Sequence, residues 1–422
     1  MTEHTSPSTE RGPRTVIRHA TVLDTLSMTY NECGSVVIED GIIVAVDESE
    51  DVSGDIEIDA AGRYLLPGLI DCHVHFRLAT FDFASMLHWS EVQYGIAMAN
   101  LARATLARGF TTVRDLGGDV NGLIRAIEAG STPGPRIVRA GLMLTQTGGH
   151  GDARPRQIEV ASCGCSLESD ALSVVADGPD AVRKAARHLL RDGSDFIKIH
   201  VSGGVASPSD PLECTQYTPE EIRTVVTETD HRGTYVAAHA YTPESIAMAV
   251  NAGVRTIEHG NLLDDATADL LTDSQAVLVP TLVTYKGMND LGERLGFPRA
   301  NLDKNRVIYE SGLTSLERAH TAGVRMGLGT DLIGESQPMQ NQELAIRAEV
   351  QPAIDVLRSM WTVNAELCHL QGRIGVVAPG AYGDLVMSRI DPLEDLSAFA
   401  EPGTALTHVI QNGQVVVDRS ED

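Results

Sequence analysis

The chain has 422 residues and carries 33 Lys and Arg against 58 Asp and Glu, a formal net charge of −25 at pH 7. Such a surface repels nucleic acid and anionic membranes, which argues against partners of either kind, while the length suffices for one large α/β domain or a pair of smaller ones. Apolar residues make up 42% of the sequence, a globular share, and no run approaches the roughly 18–20 apolar residues that a membrane-spanning helix needs.

The opening MTEHTSPSTERGPR is polar throughout and lacks the charged-then-apolar pattern of a signal peptide, so residues 1–13 read as a disordered tail and the compartment as cytoplasmic. TVIRHATVLDT and GSVVIEDGIIVAVDES then cluster β-branched residues around turn signals, as short strands do. GDLVMSRI and THVIQNGQVVVD match them near the other end, the latter with a hairpin turn at Asn412–Gly413. These segments predict a small β-sandwich domain built from both chain ends, 14–64 and 373–422, around a middle spanning 65–372.

That middle repeats a strand-then-helix rhythm. YLLPGLIDCHVHF, TTVRDL, PRIVRAG, DFIKIHVSG, YVAAHA, TIEHG, AVLVPTL and RMGLGTDL read as strands. Helical patterns such as EVQYGIAMANLARATLARG, DAVRKAARHLLRDG, TPEEIRTVVTETDHRG and TPESIAMAVNAG lie between them, several with a Thr or Asp cap at the start and Gly at the end. Eight alternating strands predict a (β/α)8 TIM barrel. The aperiodic stretch 142–178 follows the third strand and is expected on the catalytic rim as a lid, a binding loop or a disordered segment. The 6 cysteines read as reduced thiols, including the C-x-C at Cys163 and Cys165 in that loop.

In GLIDCHVHFR (Gly68–Arg77), His73 and His75 stand two apart on an apolar strand and point to the same face. Lys198, His239, His259 and Asp331 each fall near the C-terminal end of a later predicted strand, the rim where barrel enzymes gather their catalytic groups. Imidazoles and a carboxylate converging there form a site for Zn²⁺ or a similar divalent ion, whereas the same groups buried without partners would each cost about 1–3 kcal/mol. An ammonium at Lys198 beside a metal is electrostatically wrong unless it has lost its charge or been modified.

The ordered set HVH, FIKI, AAHA, EHG and GTD resembles the metal-dependent amidohydrolase superfamily, over nearly the whole chain as far as GRIGVVAPGAYGDLVMSRIDPLEDL. TQTGGHGD (Thr145–Asp152) and FIKIHVSGGVASPSD (Phe196–Asp210) resemble its imidazolonepropionase-like branch, which includes Xaa-Pro dipeptidases, carboxypeptidase-like enzymes, ochratoxin amidases and hydrolases of phenylurea or thiocarbamate herbicides. The resemblance implies two divalent ions, Zn first and Mn or Co as alternatives, bridged by a CO2-derived carbamate on Lys198. His73, His75 and Asp331 would hold the buried ion, and His239 and His259 the exposed one. Asp331 would serve as general base and then acid, with pure metal ligation as the alternative. His150 matches a substrate-contacting histidine of the family, and Tyr241, two residues past His239, is placed to donate to a developing oxyanion or simply to pack.

His200 lies two residues from Lys198 and reads as a substrate contact or as support for a ligand, outside the ligand set. Glu258, adjacent to His259, is expected to point away from the site and pair structurally, and Asp71 to support the histidine arm from behind. Arg154 and Arg156 read as solvated surface, or else as neutralising a substrate carboxylate. Phe81, Phe83, Met86, Leu87 and Trp89 read as helix packing, with an aromatic-accepting pocket as the alternative.

The expected function is a binuclear hydrolase of an amide-type C–N bond in an N-acyl amino acid, an Xaa-Pro dipeptide, or a xenobiotic aryl amide, urea or carbamate. A mononuclear deaminase or cyclic-amide hydrolase is the alternative, disfavoured by the lysine at the bridging position; a non-catalytic barrel scaffold is the alternative of another class. The expected partners are a small-molecule substrate and further copies of the chain in a homo-oligomer.

Overall fold

The structure is a computed structural model that describes residues 12–47, 52–86, 88–154, 168–169, 172–205 and 210–421. The expected tail therefore falls mostly on 1–11, outside the described residues, as do Leu87, Arg156, Cys163 and Cys165. The strands in chain order are β1 (Thr15–Asp24), β2 (Thr29–Glu39), β3 (Ile42–Val46), β4 (Ile56–Asp59), β5 (Tyr64–Pro67), β6 (Leu69–Val74), β7 (Phe110–Asp115), β8 (Arg136–Arg139), β9 (Met143–Thr145), β10 (Glu168–Ser169), β11 (Ser173–Val175), β12 (Ile197–His200), β13 (Val236–Ala240), β14 (Thr256–His259), β15 (Val277–Val279), β16 (Leu385–Ser388), β17 (Leu406–Gln411) and β18 (Gln414–Asp418).

Both chain ends share one sheet, in the order β18-β17-β16-β5-β1-β2-β3, with β4 paired to β1. β17 and β18 are joined by Asn412 (φ 49°) and Gly413 (φ 76°), the left-handed pair that a two-residue hairpin turn of matching twist requires. The middle of the chain forms a three-stranded sheet, β6-β7-β8, and a seven-stranded one, β10-β11-β9-β12-β13-β14-β15. Apart from the β10–β11 pair, their strands run parallel. β6, β7, β12, β13, β14 and β15 are buried at every residue, the pattern of strands covered on both faces. Helices 91–107, 121–128, 179–191, 219–230, 243–251 and 265–274 alternate with them. Thr218 and Thr242 open two of these helices with reciprocal side-chain caps to Glu221 and Ser245, and Pro in the first turn needs no N–H there.

Three predicted strands differ in the structure. YLLPGLIDCHVHF divides at Gly68, where an added Cβ would lie 1.9 Å from Thr111 Oγ1; β5 belongs to the terminal sheet and β6 to the middle. PRIVRAG continues past a left-handed Gly141 (φ 72°) into β9, so β8 pairs with β7 while β9 pairs with β12. RMGLGTDL forms only an isolated bridge, Met326 to Leu278. Side chains take its backbone groups instead: Asn364 Oδ1 accepts from Leu328 N at 3.0 Å and Arg347 Nη1 donates to Gly327 O at 2.6 Å. The segment still bonds to both neighbours, through Gly327 N to Leu278 O (2.8 Å) and Cys72 N to Leu328 O (2.8 Å).

Phe81, Phe83, Met86 and Trp89 pack with the main hydrophobic core. Cys72, Cys214 and Cys368 are free thiols. Among the described residues no helix is long and apolar enough to cross a membrane.

Candidate metal centre

His73 ends in an apolar parallel strand, and His75 follows immediately beyond it. Nε2 of His73 lies 3.4 Å and Nε2 of His75 3.3 Å from the same oxygen of Asp331. Asp331 is brought there by a left-handed backbone (φ 52°) and by its N–H, which donates to His73 O at 2.7 Å. These three residues form the group, among the described residues, that could hold a metal ion. Bonds of about 2.0–2.2 Å to a tetrahedral ion place donor atoms about 3.3–3.6 Å apart, so the spacing and the imidazole–carboxylate chemistry fit.

Each ring is held by its other nitrogen. His73 Nδ1 lies 2.9 Å from Glu258 Oε2, and His75 Nδ1 3.3 Å from Gly117 O. Asp71 holds the strand from behind, as expected: its Oδ1 accepts from the N–H of His73 (3.0 Å) and of Thr330 (3.1 Å). Burial pushes His73 down to about 4, so its ring is neutral, the form that ligates. Burial lowers His75 as well, but hydrogen bonding and charge from Asp331 raise it overall. Asp331 is itself held well below the usual carboxylate range by the surrounding imidazoles, against the effect of burial.

Lys198, His239 and His259 border this group without joining it. The His259 ring lies 4.9 Å from that of His73 and 4.6 Å from that of His239, and its Nδ1 is 3.9 Å from Asp331 Oδ2. His259 Nδ1 is engaged by Thr281 Oγ1 at 2.8 Å and His239 Nε2 by Gly203 O at 3.1 Å, leaving one nitrogen of each ring for a ligand. Burial holds both rings far below the ordinary histidine value. Lys198 is 1% exposed, and burial pushes its ammonium down to about 8 despite the opposing charges of Glu258 and Asp331.

The predicted substrate contacts gather on the far side of His239. His150 stacks on it (4.5 Å, 19°) and its Nδ1 lies 2.9 Å from Asp210 Oδ2. His200 pairs with His239 in register across β12 and β13, is 3% exposed, and among the described residues leaves Nδ1 without a partner. Tyr241 stacks on His259 (5.3 Å, 13°) and its hydroxyl meets that of Tyr285 at 2.6 Å. Arg154 pairs with Asp152 at 2.7 Å.

Glu258 corrects the expectation that it turns away. Strand alternation would separate it from His259, but the left-handed φ of His259 (75°) breaks the alternation, and the Glu258 carboxylate reaches the His73 ring. Its other oxygen accepts from Arg114 Nη2 at 2.7 Å, and both side chains are fully buried. Arg114, Asp115 (whose carboxylate accepts from Phe76 N and Gly117 N, each at 3.0 Å), Asp210, Thr281 and Tyr285 went unrecognised in the sequence. TTVRDL held one available signal: a charged pair inside an apolar strand demands buried partners.

The amidohydrolase family profile matches residues 64–416. The chain belongs to the amidohydrolase family, and it is a hydrolase. It is similar to a prolidase solved with N-methylphosphonate-L-proline, at 43% identity and a TM-score of 0.90, covering 96% of this chain and 100% of that one. A Xaa-Pro dipeptidase with bound methionine in its active site shares 29% identity, with a TM-score of 0.85 over 96% of this chain and 100% of that one. Ochratoxinase of Aspergillus niger is 29% identical over 405 residues, 90% of this chain and 82% of that protein. These relatives agree with the branch that the motifs resemble.

Proposed function

We propose that this amidohydrolase cleaves an amide-type C–N bond at a binuclear metal centre set on the rim of a (β/α)8 barrel, with the terminal sheet as a small β-sandwich domain. The observation that carries the reading is the convergence of His73, His75 and Asp331 within 4.8 Å of one another beside a buried lysine. The hydrogen bonds that tie β15 to the 325–328 segment, and that segment to β6, support the barrel. In this reading His73, His75 and Asp331 would hold one ion, His239 and His259 the other, with a carbamate on Lys198 as a further ligand. Only a neutral amine combines with CO2, and the burial that lowers Lys198 favours that form.

When bound, two divalent ions, Zn in the first instance, supply Lewis acidity and lower the pKa of a water molecule toward neutrality. Asp331 takes a proton at its carboxylate and delivers it to the leaving nitrogen. Tyr241 keeps its proton, because burial raises it, and donates to the carbonyl oxygen as charge develops there. His150, set by Asp210, and His200 contact the substrate.

Among amide substrates, Xaa-Pro dipeptides are favoured by the two peptidase relatives, at 43% and 29% identity. The test is a hydrolysis panel on metal-reconstituted protein with Xaa-Pro dipeptides, N-acyl amino acids, phenylureas, carbamates and ochratoxin. Turnover of an amide at two ions per chain is expected; full activity at one ion per chain would sink the binuclear reading.

A further inference from the structure

Helix 282–291 begins after Thr281, a residue type that ordinarily turns its side-chain oxygen onto the second or third N–H of its own helix. Thr281 makes no such cap. Its hydroxyl is committed elsewhere, 2.8 Å from His259 Nδ1. One orphan donor at the helix start is met from a different helix, 342–348. Oε2 of Glu343 accepts from Val283 N at 2.7 Å. Glu343 is fully buried, so no water competes for that N–H group.

We propose that Glu343 is a positioning residue: by capping helix 282–291 in place of Thr281, it frees the Thr281 hydroxyl to orient His259 and sets Tyr285 against Tyr241. The start of the helix thereby anchors two contacts of the centre. His259 bonds to Thr281, Tyr285 bonds to Tyr241 at 2.6 Å, and the Tyr241 ring stacks on His259. Without Glu343, the buried N–H group of Val283 would recapture the Thr281 hydroxyl and pull it from the imidazole. The capping step stands on geometry alone; its consequence for the centre rests on the proposed reading of His259 as a ligand and Tyr241 as a donor.

The test compares the full-length E343A, E343Q and T281V variants. In metal-free protein, E343A speeds amide hydrogen exchange at 283 by at least about fivefold, the scale of a lost cap. E343Q keeps the acceptor and returns exchange to within about twofold of wild type, while T281V leaves it unchanged. In chelator competition, E343A and T281V each release metal about 10–100-fold more readily, and E343Q does not. Unchanged exchange in E343A overturns the cap. Exchange in T281V as fast as that expected of E343A also overturns it, even where E343A does not fold. Faster exchange in E343A with metal retention unaltered overturns the link to His259. Because exchange is read without metal or substrate, a panel in which no amide is hydrolysed sinks the functional reading and leaves the cap standing.

Discussion

Glu258 joins His73 to Arg114: one carboxylate oxygen lies 2.9 Å from the imidazole Nδ1 and the other 2.7 Å from the guanidinium. Arg114 in turn bonds to Cys72 O at 2.7 Å, so the residue just before His73 and the ring of His73 are fixed by the same pair. Both charges are fully buried, and Arg114 holds Glu258 well below the ordinary glutamate range despite the burial. Removing one partner strands the other. R114M is expected to lose about 3–5 kcal/mol of stability in urea unfolding. E258Q, which removes the charge that polarises His73, is expected to weaken metal retention about 10–100-fold in chelator titration. A wild-type urea midpoint for R114M would show that the pair is not the anchor described.

Lys198 tests the bridge. K198A should fall from two bound ions per chain to one or none, with hydrolysis at least about a hundredfold lower. Wild-type protein equilibrated with 13C-bicarbonate should show a carbamate carbonyl signal by NMR that K198A lacks. Full metal content and undiminished hydrolysis in K198A would end the bridging-lysine proposal.

The fold and the centre were legible to different depths. Buried parallel strands announce themselves because burial on both faces favours apolar runs, as in β13 and β15. The hairpin at Asn412–Gly413 was equally plain, since few residue pairs tolerate its backbone. RMGLGTDL bonds to both neighbouring strands but forms only an isolated bridge, because Asn364 and Arg347, distant side chains that no local pattern announces, take Leu328 N and Gly327 O. In the centre, His73 and His75 were visible through strand spacing, but the Glu258 contact depends on a left-handed φ at His259 that alternation cannot foresee. Asp210 and Thr281 act through tertiary contacts with His150 and His259, and short-range periodicity carries no trace of these.

Tyr241 and Tyr285 share a 2.6 Å hydrogen bond, yet their substitution should have unequal consequences. Y241F removes the donor proposed to meet the developing oxyanion, so kcat is expected to fall about 10²–10³-fold with little change in KM. Y285F removes only a partner of that donor and should cost less in kcat. Steady-state kinetics on the most active amide of the panel decides this. Equal losses in the two variants, or a Y241F effect confined to KM, would remove Tyr241 from oxyanion stabilisation.

Glu343 predicts a pH-dependent difference in stability. Burial pushes its carboxyl up to about 8, against the charge of Arg347 and the N–H groups of Val283 and Leu282, with Asp71 adding to the rise. In the unfolded chain a glutamate titrates near about 4.3, so between that pH and the folded value the native state holds a proton that the unfolded state has released. Its contribution to stability is therefore full below about pH 4.3 and is lost as pH rises through the folded value. Glutamine mimics the protonated side chain and cannot titrate. Urea midpoints for E343Q and wild type should stay parallel below about pH 4.3 and diverge in favour of E343Q as pH rises from there to about 8, where the folded carboxyl titrates. A constant difference across that range would mean that Glu343 is not held protonated in the folded protein.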